Sequence, residues 1–495
     1  MRRLDSLLVT CLLLDLAGCS RRPASTRDSG TDVTDAAGDT DGTATVDVAV
    51  DLPFGDGSTR DGSFDVPFDV PLDAPINGSI TGSDVVVVAS GNVVVSGTLN
   101  GTVDLGAGAL TSSGAGDLVL AAFNSAGGVL WSRRWGDAAS QGGGALASDA
   151  SGNLFLATSF AGRIDLGGGE LASAGSTDIC LAKLDAQGRH QWSARFGDAA
   201  LQWATGAAVD STGRFVASGY SQTPFEFGNA SPDAGTGGAT ITSSIVSLDS
   251  GGNRLWSKTW PAAQIASIAV DAADNVLVAG SFTNSVDFGG GPLAPTGTTN
   301  VFIVSLAANG NHRWSRRFGN GGSAAALAVA TDGAGNVLVT GFFDDTVDFG
   351  GGPLVSVRVP GRTVVSNDVF VAKLEGSAGA HVWSRRFGDG EEDQGSNSIA
   401  ADSAGDVFVA GNFRGTIDFG LGALSAAMGE TFVVKLDARG APLWHRQLVG
   451  SGGQIGVAPP AGLLVTGAFP VSGPFPSARA TLAGGSNVFL VEYPP

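Results

Sequence analysis

Ile268-Ala-Val-Asp-Ala-Ala-Asp-Asn-Val-Leu-Val-Ala-Gly-Ser-Phe282 sets apolar residues on both sides of an Asp-to-Asn turn. That is the pattern of two short strands joined by a hairpin. Three phrases follow it: Val286-Asp-Phe-Gly289, Val301-Phe-Ile-Val-Ser-Leu306 and Arg313-Trp-Ser-Arg-Arg-Phe-Gly319. The same order returns from about Asp84 to the C-terminus. Its Trp recurs at Trp131, Trp192, Trp256, Trp314, Trp383 and Trp444, with spacings of 61, 64, 58, 69 and 61 residues. A period of this size marks a repeat architecture, in which each unit is one supersecondary block that buries its core only against its neighbours.

Each unit reads as four strands. The first is small and Ala-rich, as in Ala207-Ala-Val-Asp210 and Ile399-Ala-Ala-Asp402, which suits the crowded centre of a radial assembly. A turn such as Asp332-Gly-Ala-Gly-Asn336 follows, where Gly accepts positive φ and Asp bonds nearby backbone. The second strand alternates, as in Asn336-Val-Leu-Val-Thr-Gly-Phe342. Next come the turn Val347-Asp-Phe-Gly350, a third strand such as Val369-Phe-Val-Ala-Lys-Leu374, and a fourth carrying the Trp. Short strands of this kind bury a continuous core only when sheets pack face to face around an axis. The expected fold is an all-β, seven-bladed β-propeller closed between N- and C-terminal strands and preceded by a disordered tether. Seven innermost runs are counted, the last a worn copy at Gln454-Ile-Gly-Val457. Ile76-Asn-Gly-Ser-Ile-Thr81 is expected to supply the missing outer strand of the seventh blade, which would remove an exposed sheet edge.

These units resemble the bacterial β-propeller repeat often called SBBP. Ala269-Val-Asp271, Asn275-Val-Leu-Val-Ala-Gly280, Asp287-Phe288 and Asp368-Val-Phe-Val-Ala-Lys-Leu374 carry the likeness over about residues 80 to 495. The resemblance implies a propeller in a surface or envelope setting and no defined catalytic residues.

The chain has 495 residues, 76 of them Gly, with 15% charged and a net charge of −19. Such an excess of carboxylates argues against a nucleic-acid partner, whose binding rests on Lys and Arg at phosphates. Met1-Arg-Arg-Leu, the apolar run Leu7 to Leu14 and Leu16-Ala-Gly-Cys19 read as an export signal too short to span a bilayer. Leu16-Ala-Gly-Cys19 resembles the lipobox of bacterial lipoproteins, which implies a signal peptide over 1–18 and lipid on Cys19. The other reading is an ordinary secreted protein cut elsewhere. Between 20 and 77, twelve Asp stand against four Arg, with no Lys or Glu, too little apolar surface to offset ordering. The expected organisation is a signal peptide (1–18), a disordered Asp/Pro/Gly-rich tether (19–75) and the propeller (76–495).

No Gly-x-Ser-x-Gly, His-Glu-x-x-His or phosphate loop stands in a fitting context. No metal and no cofactor are expected. Trp383, Arg385 and Phe387 share a strand face by period two. They suit a ligand cage, but repetition in nearly every blade favours packing. The Asp of the Val-Asp-Phe-Gly turn is expected to pair with these Arg residues. His190, His312 and His381 each stand two residues before a Trp and read as hairpin surface residues, and Cys180 as a small buried substitute for Phe. Loops that break the period are where function concentrates. The longest runs from Val355 to Ser366 in blade five, so Arg358 and Arg362 are candidate ligand-binding residues, with length drift as the other reading; the charged loop Glu391-Glu-Asp393 is a further candidate, for which a merely solvated loop is the other reading. Residues 229 to 240 form a smaller insertion in blade three.

The expected protein is a non-catalytic binding or scaffolding module for an envelope protein or glycan. It would be monomeric, exported and lipid-anchored to a bacterial outer membrane or cell surface. The alternatives are a quinone-dependent dehydrogenase-like or polysaccharide-degrading propeller enzyme, or an outer-membrane assembly scaffold lipoprotein. The first of these rests on Leu184-Asp-Ala-Gln-Gly-Arg-His-Gln-Trp192 and its counterparts, which resemble the docking repeat of such dehydrogenases.

Overall fold

The computed structural model describes residues 78–125, 127–222, 227, 241–357, 366–390, 392–458, 462–468, 479–480 and 491–493. The export signal, the tether up to residue 77, and Arg358, Arg362 and Glu391 lie outside them.

Blade 4 shows the plan. Its strands Ala263–Val270, Val276–Phe282, Asn300–Leu306 and His312–Phe318 form one antiparallel sheet in sequence order. A two-residue hairpin, Val286–Asp287 with Pro292–Leu293, is inserted between the second and third strands. The first strands of successive blades lie against one another, Ser79–Val87 on Ala145–Ser148, then Gln202–Val209, Ala263–Val270, Ala324–Thr331 and Gln394–Ala401. They line the axis, as the small residues anticipate. In blade 6 the inserted hairpin merges with its neighbours into two long strands, Val407–Asp418 and Ala423–Leu436.

The core lies between blades. Ile303 and Ala279 of blade 4 join Val337, Val339, Phe343 and Phe370 of blade 5 in one buried cluster, and every other pair of complete neighbours repeats the arrangement. Phe302, Phe343, Phe370 and Phe432 are fully buried. Losing such a ring costs about 3–5 kcal/mol, so each blade is stabilised mainly by the next.

The expectation of seven blades closed by a shared strand is corrected in two respects. Six blades are complete, and each carries its Trp strand. After them comes a smaller C-terminal sheet, Ser451–Ala458, Gly462–Ala468, Val491–Tyr493 and Arg479–Ala480, in the order first, second, fourth, third along the chain. Its last two strands are three and two residues long. Its first strand packs against the first strands of blades 6 and 1. Among the described residues of the expected closing segment, Gly78 to Thr81, none joins that sheet. Ser79 to Thr81 instead open the first strand of blade 1 and pair with Asn100 to Thr98. A β-bulge between Gly82 and Asp84 interrupts this strand. The extra residue reverses the alternation of faces, so one strand reads in sequence as two runs.

Candidate functional site

The Trp residues join blade to blade. Trp131, Trp192, Trp256, Trp314 and Trp383 donate their indole N–H to Ala186, Ser250, Ala308, Gly376 and Ala438 at 2.9–3.1 Å, each acceptor being a turn carbonyl of the following blade. Arg385, on the same face as Trp383, donates to the carbonyls of Gly440 and Arg439 in that turn. This face therefore performs inter-blade packing, the role its repetition suggested.

The neighbouring Arg forms the ion pair. Arg386 donates to Asp368 Oδ2 at 2.7 Å, and Arg134 and Arg195 bond Asp117 and Asp178 in the same way. These three carboxylates are fully buried at the start of the third strand. Burial pushes the Asp368 carboxyl up, against the lowering influence of Arg386. In blade 4 the position is Asn300, and Arg317 turns to the Gly319 carbonyl and to Thr296.

The expected partner, the Asp of the Val-Asp-Phe-Gly turn, does something else. Asp348 Oδ1 accepts from Gly350 N at 2.7 Å and Gly352 N at 3.1 Å, and Asp104, Asp165 and Asp287 cap their own glycine loops alike. The capped loop lies under a histidine ring. A Cβ on Gly290 would sit 2.3 Å from His312 Cε1. His190, His312 and His381 are half-buried and bond Ser193, Ser315 and Ser384 through Nε2. They are therefore less exposed than hairpin surface residues, and they fasten the inserted hairpin to the fourth strand.

Lys373 is buried and pairs with Asp332 at 2.7 Å. Burial opposes the charge of Asp332, yet the bonds from Lys373 and Asn336 hold its carboxyl below the usual range. Blade 3 has Ser247 where this Lys would stand. There Arg214, from the second strand's opening turn, pairs with Asp210 at 2.9 Å and reaches Ala308 O, the acceptor of Trp256. Cys180 is fully buried, which pushes its thiol up to about 12, and it forms no disulfide. A thiol held so far from its thiolate is inert. Among the described residues no three or more His, Cys, Asp or Glu side chains are grouped so as to hold a metal ion.

Two features depart from this repeated order. The first is Asp84, the one ionisable side chain in any first strand of the ring. Its Oδ2 accepts from Leu146 N of blade 2 at 2.8 Å and its Oδ1 from Val85 N at 2.8 Å. At the matching register Ser267 and Ser398 accept from Val329 N and Ile455 N, so neutral hydroxyls hold the same joint elsewhere. Burial pushes the Asp84 carboxyl up to about 6, opposed by the two N–H donors.

The second is the side-chain bond at the joint between blades 5 and 6, beside the described ends of the blade 5 insertion; the backbone joint itself recurs, Gln141, Gln202 and Ala324 donating to Gly116, Thr177 and Thr299. Asn367 donates its backbone and side-chain N–H to Asp393 Oδ1 at 3.0 and 3.3 Å. Gln394 N donates to Asn367 O at 3.0 Å. A Cβ on Gly390 would lie 2.4 Å from the Val357 carbonyl, and one on Gly415 would lie 3.2 Å from Glu392 Cγ. Glu392 and Asp393 thus stand where the blade 5 insertion meets the inserted hairpin of blade 6. Val355, at the start of the insertion, is exposed. Sequence reasoning marked both loops separately; their contact depends on the turn from one blade to the next.

Four-stranded sheets set radially, with first strands along the axis, define a β-propeller. No family model matches the sequence. An uncharacterized WD repeat-containing protein of Acanthamoeba polyphaga mimivirus is 28% identical over 184 residues, or 31% of this chain, and the match spans 13% of that protein's length. Among solved structures, an ulvan lyase is 9% identical with a TM-score of 0.41, covering 79% of this chain and 92% of its own. The Dos1 propeller is 10% identical with a TM-score of 0.39, covering 84% and 93%. A Bacteroides caccae protein of unknown function is 14% identical with a TM-score of 0.35, covering 66% and 89%. Likeness at this level carries nothing about activity.

Proposed function

We propose that this chain is a non-catalytic binding or scaffolding propeller of a bacterial cell envelope. Lipid on Cys19 would hold it to the membrane and residues 19–75 would display it. The observation that carries this reading is the occupation of the repeated polar side chains. Trp, Arg, Asp, Lys and His of the repeat bond one another or the next blade, while the described ends of the blade 5 insertion lie beside the loop of Glu392 and Asp393. Loops on a rigid scaffold are where recognition concentrates. The fitting ligand is an envelope protein or a glycan.

Incubating the purified protein with an array of envelope polysaccharides separates the readings. Retention of intact glycan supports binding, whereas release of shortened or unsaturated products supports a polysaccharide-degrading enzyme. Cys19→Ala, followed by detergent partitioning, tests the anchor; a variant that still partitions with detergent counts against lipid at this residue.

A further inference from the structure

Three Asn-Gly pairs lie wholly within the described residues: Asn100-Gly101, Asn309-Gly310 and Asn320-Gly321. Such a pair is chemically reactive because glycine offers no side chain to hinder attack by its own amide nitrogen. Attack needs that nitrogen free of other bonds and the asparagine amide free to turn toward it. Two pairs are held. Gly101 N donates to Ser112 Oγ at 2.9 Å. Gly310 N donates to Ala307 O at 2.8 Å, and Asn309 Oδ1 accepts from Asn311 N at 3.1 Å. Asn320 differs. It is exposed, and among the described residues neither its side chain nor Gly321 N has a hydrogen-bond partner; the backbone N–H of Asn320, bonded to Thr346 O at 3.0 Å, is the pair's anchor.

We propose that Asn320 is a site of spontaneous modification, at which the folded protein converts an amide to a carboxylate. The amide nitrogen of Gly321 loses its proton to solvent base and attacks Cγ of Asn320. A bond forms between that nitrogen and Cγ, closing a five-membered imide, and the bond from Cγ to Nδ2 breaks. The departing nitrogen takes up a proton and leaves as ammonia. Water then adds to one imide carbonyl, leaving aspartate, or isoaspartate if it opens the other side.

The location gives the conversion a consequence. Residue 320 follows the glycine that ends the fourth strand, the place held by Asp137, Asp198 and Asp389 in blades 1, 2 and 5. In those blades a Gln at or just before the next first strand donates to the carboxylate, Gln141 to Asp137 at 2.7 Å, Gln202 to Asp198 at 2.7 Å and Gln394 to Asp389 at 3.0 Å. Blade 5 offers Ala324 there instead. Asp345 Oδ2 would lie 2.6 Å from a Cβ on Gly321, and Asp344 Oδ1 accepts from Ser323 N. The new charge therefore enters beside two carboxylates without the Gln that receives it elsewhere.

The test is peptide mapping by mass spectrometry of the full-length protein aged in warm, mildly alkaline buffer. The peptide holding Asn320 is expected to gain the mass of an amide-to-acid exchange about tenfold faster than those holding Asn100 and Asn309, whose hydrogen bonds must first break. Aging in denaturant should bring the three rates together, and Asn320→Gln should abolish the change at that peptide while the other two continue. Equal rates in the folded protein, or faster conversion at Asn100 or Asn309, would overturn the proposal. So would a rate difference that survives denaturation, because sequence rather than fold would then select the site.

Discussion

The indole Nε1 of Trp314 donates to the carbonyl of Gly376 at 3.0 Å across 62 residues of sequence, from the fourth strand of blade 4 to a turn of blade 5. The turn is shaped to receive it. Gly379 has φ +67° and faces the indole so closely that a Cβ would lie 2.8 Å from Trp314 Cζ3. Trp314→Phe keeps most of the packing and loses the bond, an expected cost of about 1 kcal/mol. Gly379→Ala combines a left-handed conformation with the clash and is expected to cost about 2 kcal/mol or more. Denaturant midpoints at constant slope measure both. A Gly379→Ala midpoint above that of Trp314→Phe would contradict the ordering.

Asp368 and Arg386 are a second test. Arg386→Met leaves a buried carboxylate without its cation, an expected loss of about 2–3 kcal/mol, scaled for an Arg that keeps some exposure. Adding Asp368→Asn imitates Asn300 of blade 4 and should recover at least half of that loss. A double-mutant cycle reads the coupling; additive losses would mean that the two side chains do not depend on each other.

Asp84 gives stability a pH dependence of definite sign. A carboxyl at about 6 when folded and 3.8 when unfolded binds its proton more tightly in the folded state. Its stabilising contribution is complete below 3.8 and is lost as pH rises through about 6. The loss is about 3 kcal/mol. No titratable group stands on the strands packed against it, Val93–Asn100, Ala145–Ser148, Ser451–Ala458 and Gly462–Ala468; Asp104, on the short strand Thr102–Asp104, caps its own loop. Asp84→Ser, which copies Ser267, should flatten the fall in melting temperature as pH rises from 3.8 to about 6. An unchanged slope in that variant would assign the dependence elsewhere.

Asp348 caps two glycine N–H groups. Asp348→Ala is therefore expected to lose about 1 kcal/mol and Asp348→Asn clearly less. If both variants match the wild type in denaturant midpoint, the cap contributes nothing to folding.

Much of this was legible in the sequence. The hairpin Asp, the alternating second strand and the Trp each report a local requirement, a turn bond, a buried face and a large packed ring. What escaped the sequence depends on register or on neighbours. Period two put Arg385 on the face of Trp383 correctly, yet the ion pair belongs to Arg386 on the other face, because its partner lies across the sheet at Asp368. The bulge after Gly82 divided one strand into two apparent runs, and Gln454-Ile-Gly-Val457 lacks the Trp that marks a complete blade. Those two features produced the count of seven and the shared closing strand. The backbone joint beside Asn367 and Asp393 recurs at Thr177 and Thr299, but it links one blade to the next, and the strand pattern within a single unit does not show it.

The most direct measurement of the proposed function compares the wild type with a variant of the candidate ligand-binding residues, Arg358→Ala, Arg362→Ala and Glu392→Gln together, on immobilised envelope glycans and on blotted envelope proteins. Saturable retention of one intact ligand by the wild type, at least tenfold weaker in the variant while both melt alike, is the expected result. Equal retention by the two would move recognition away from these residues, and consumption of the ligand would contradict a non-catalytic module.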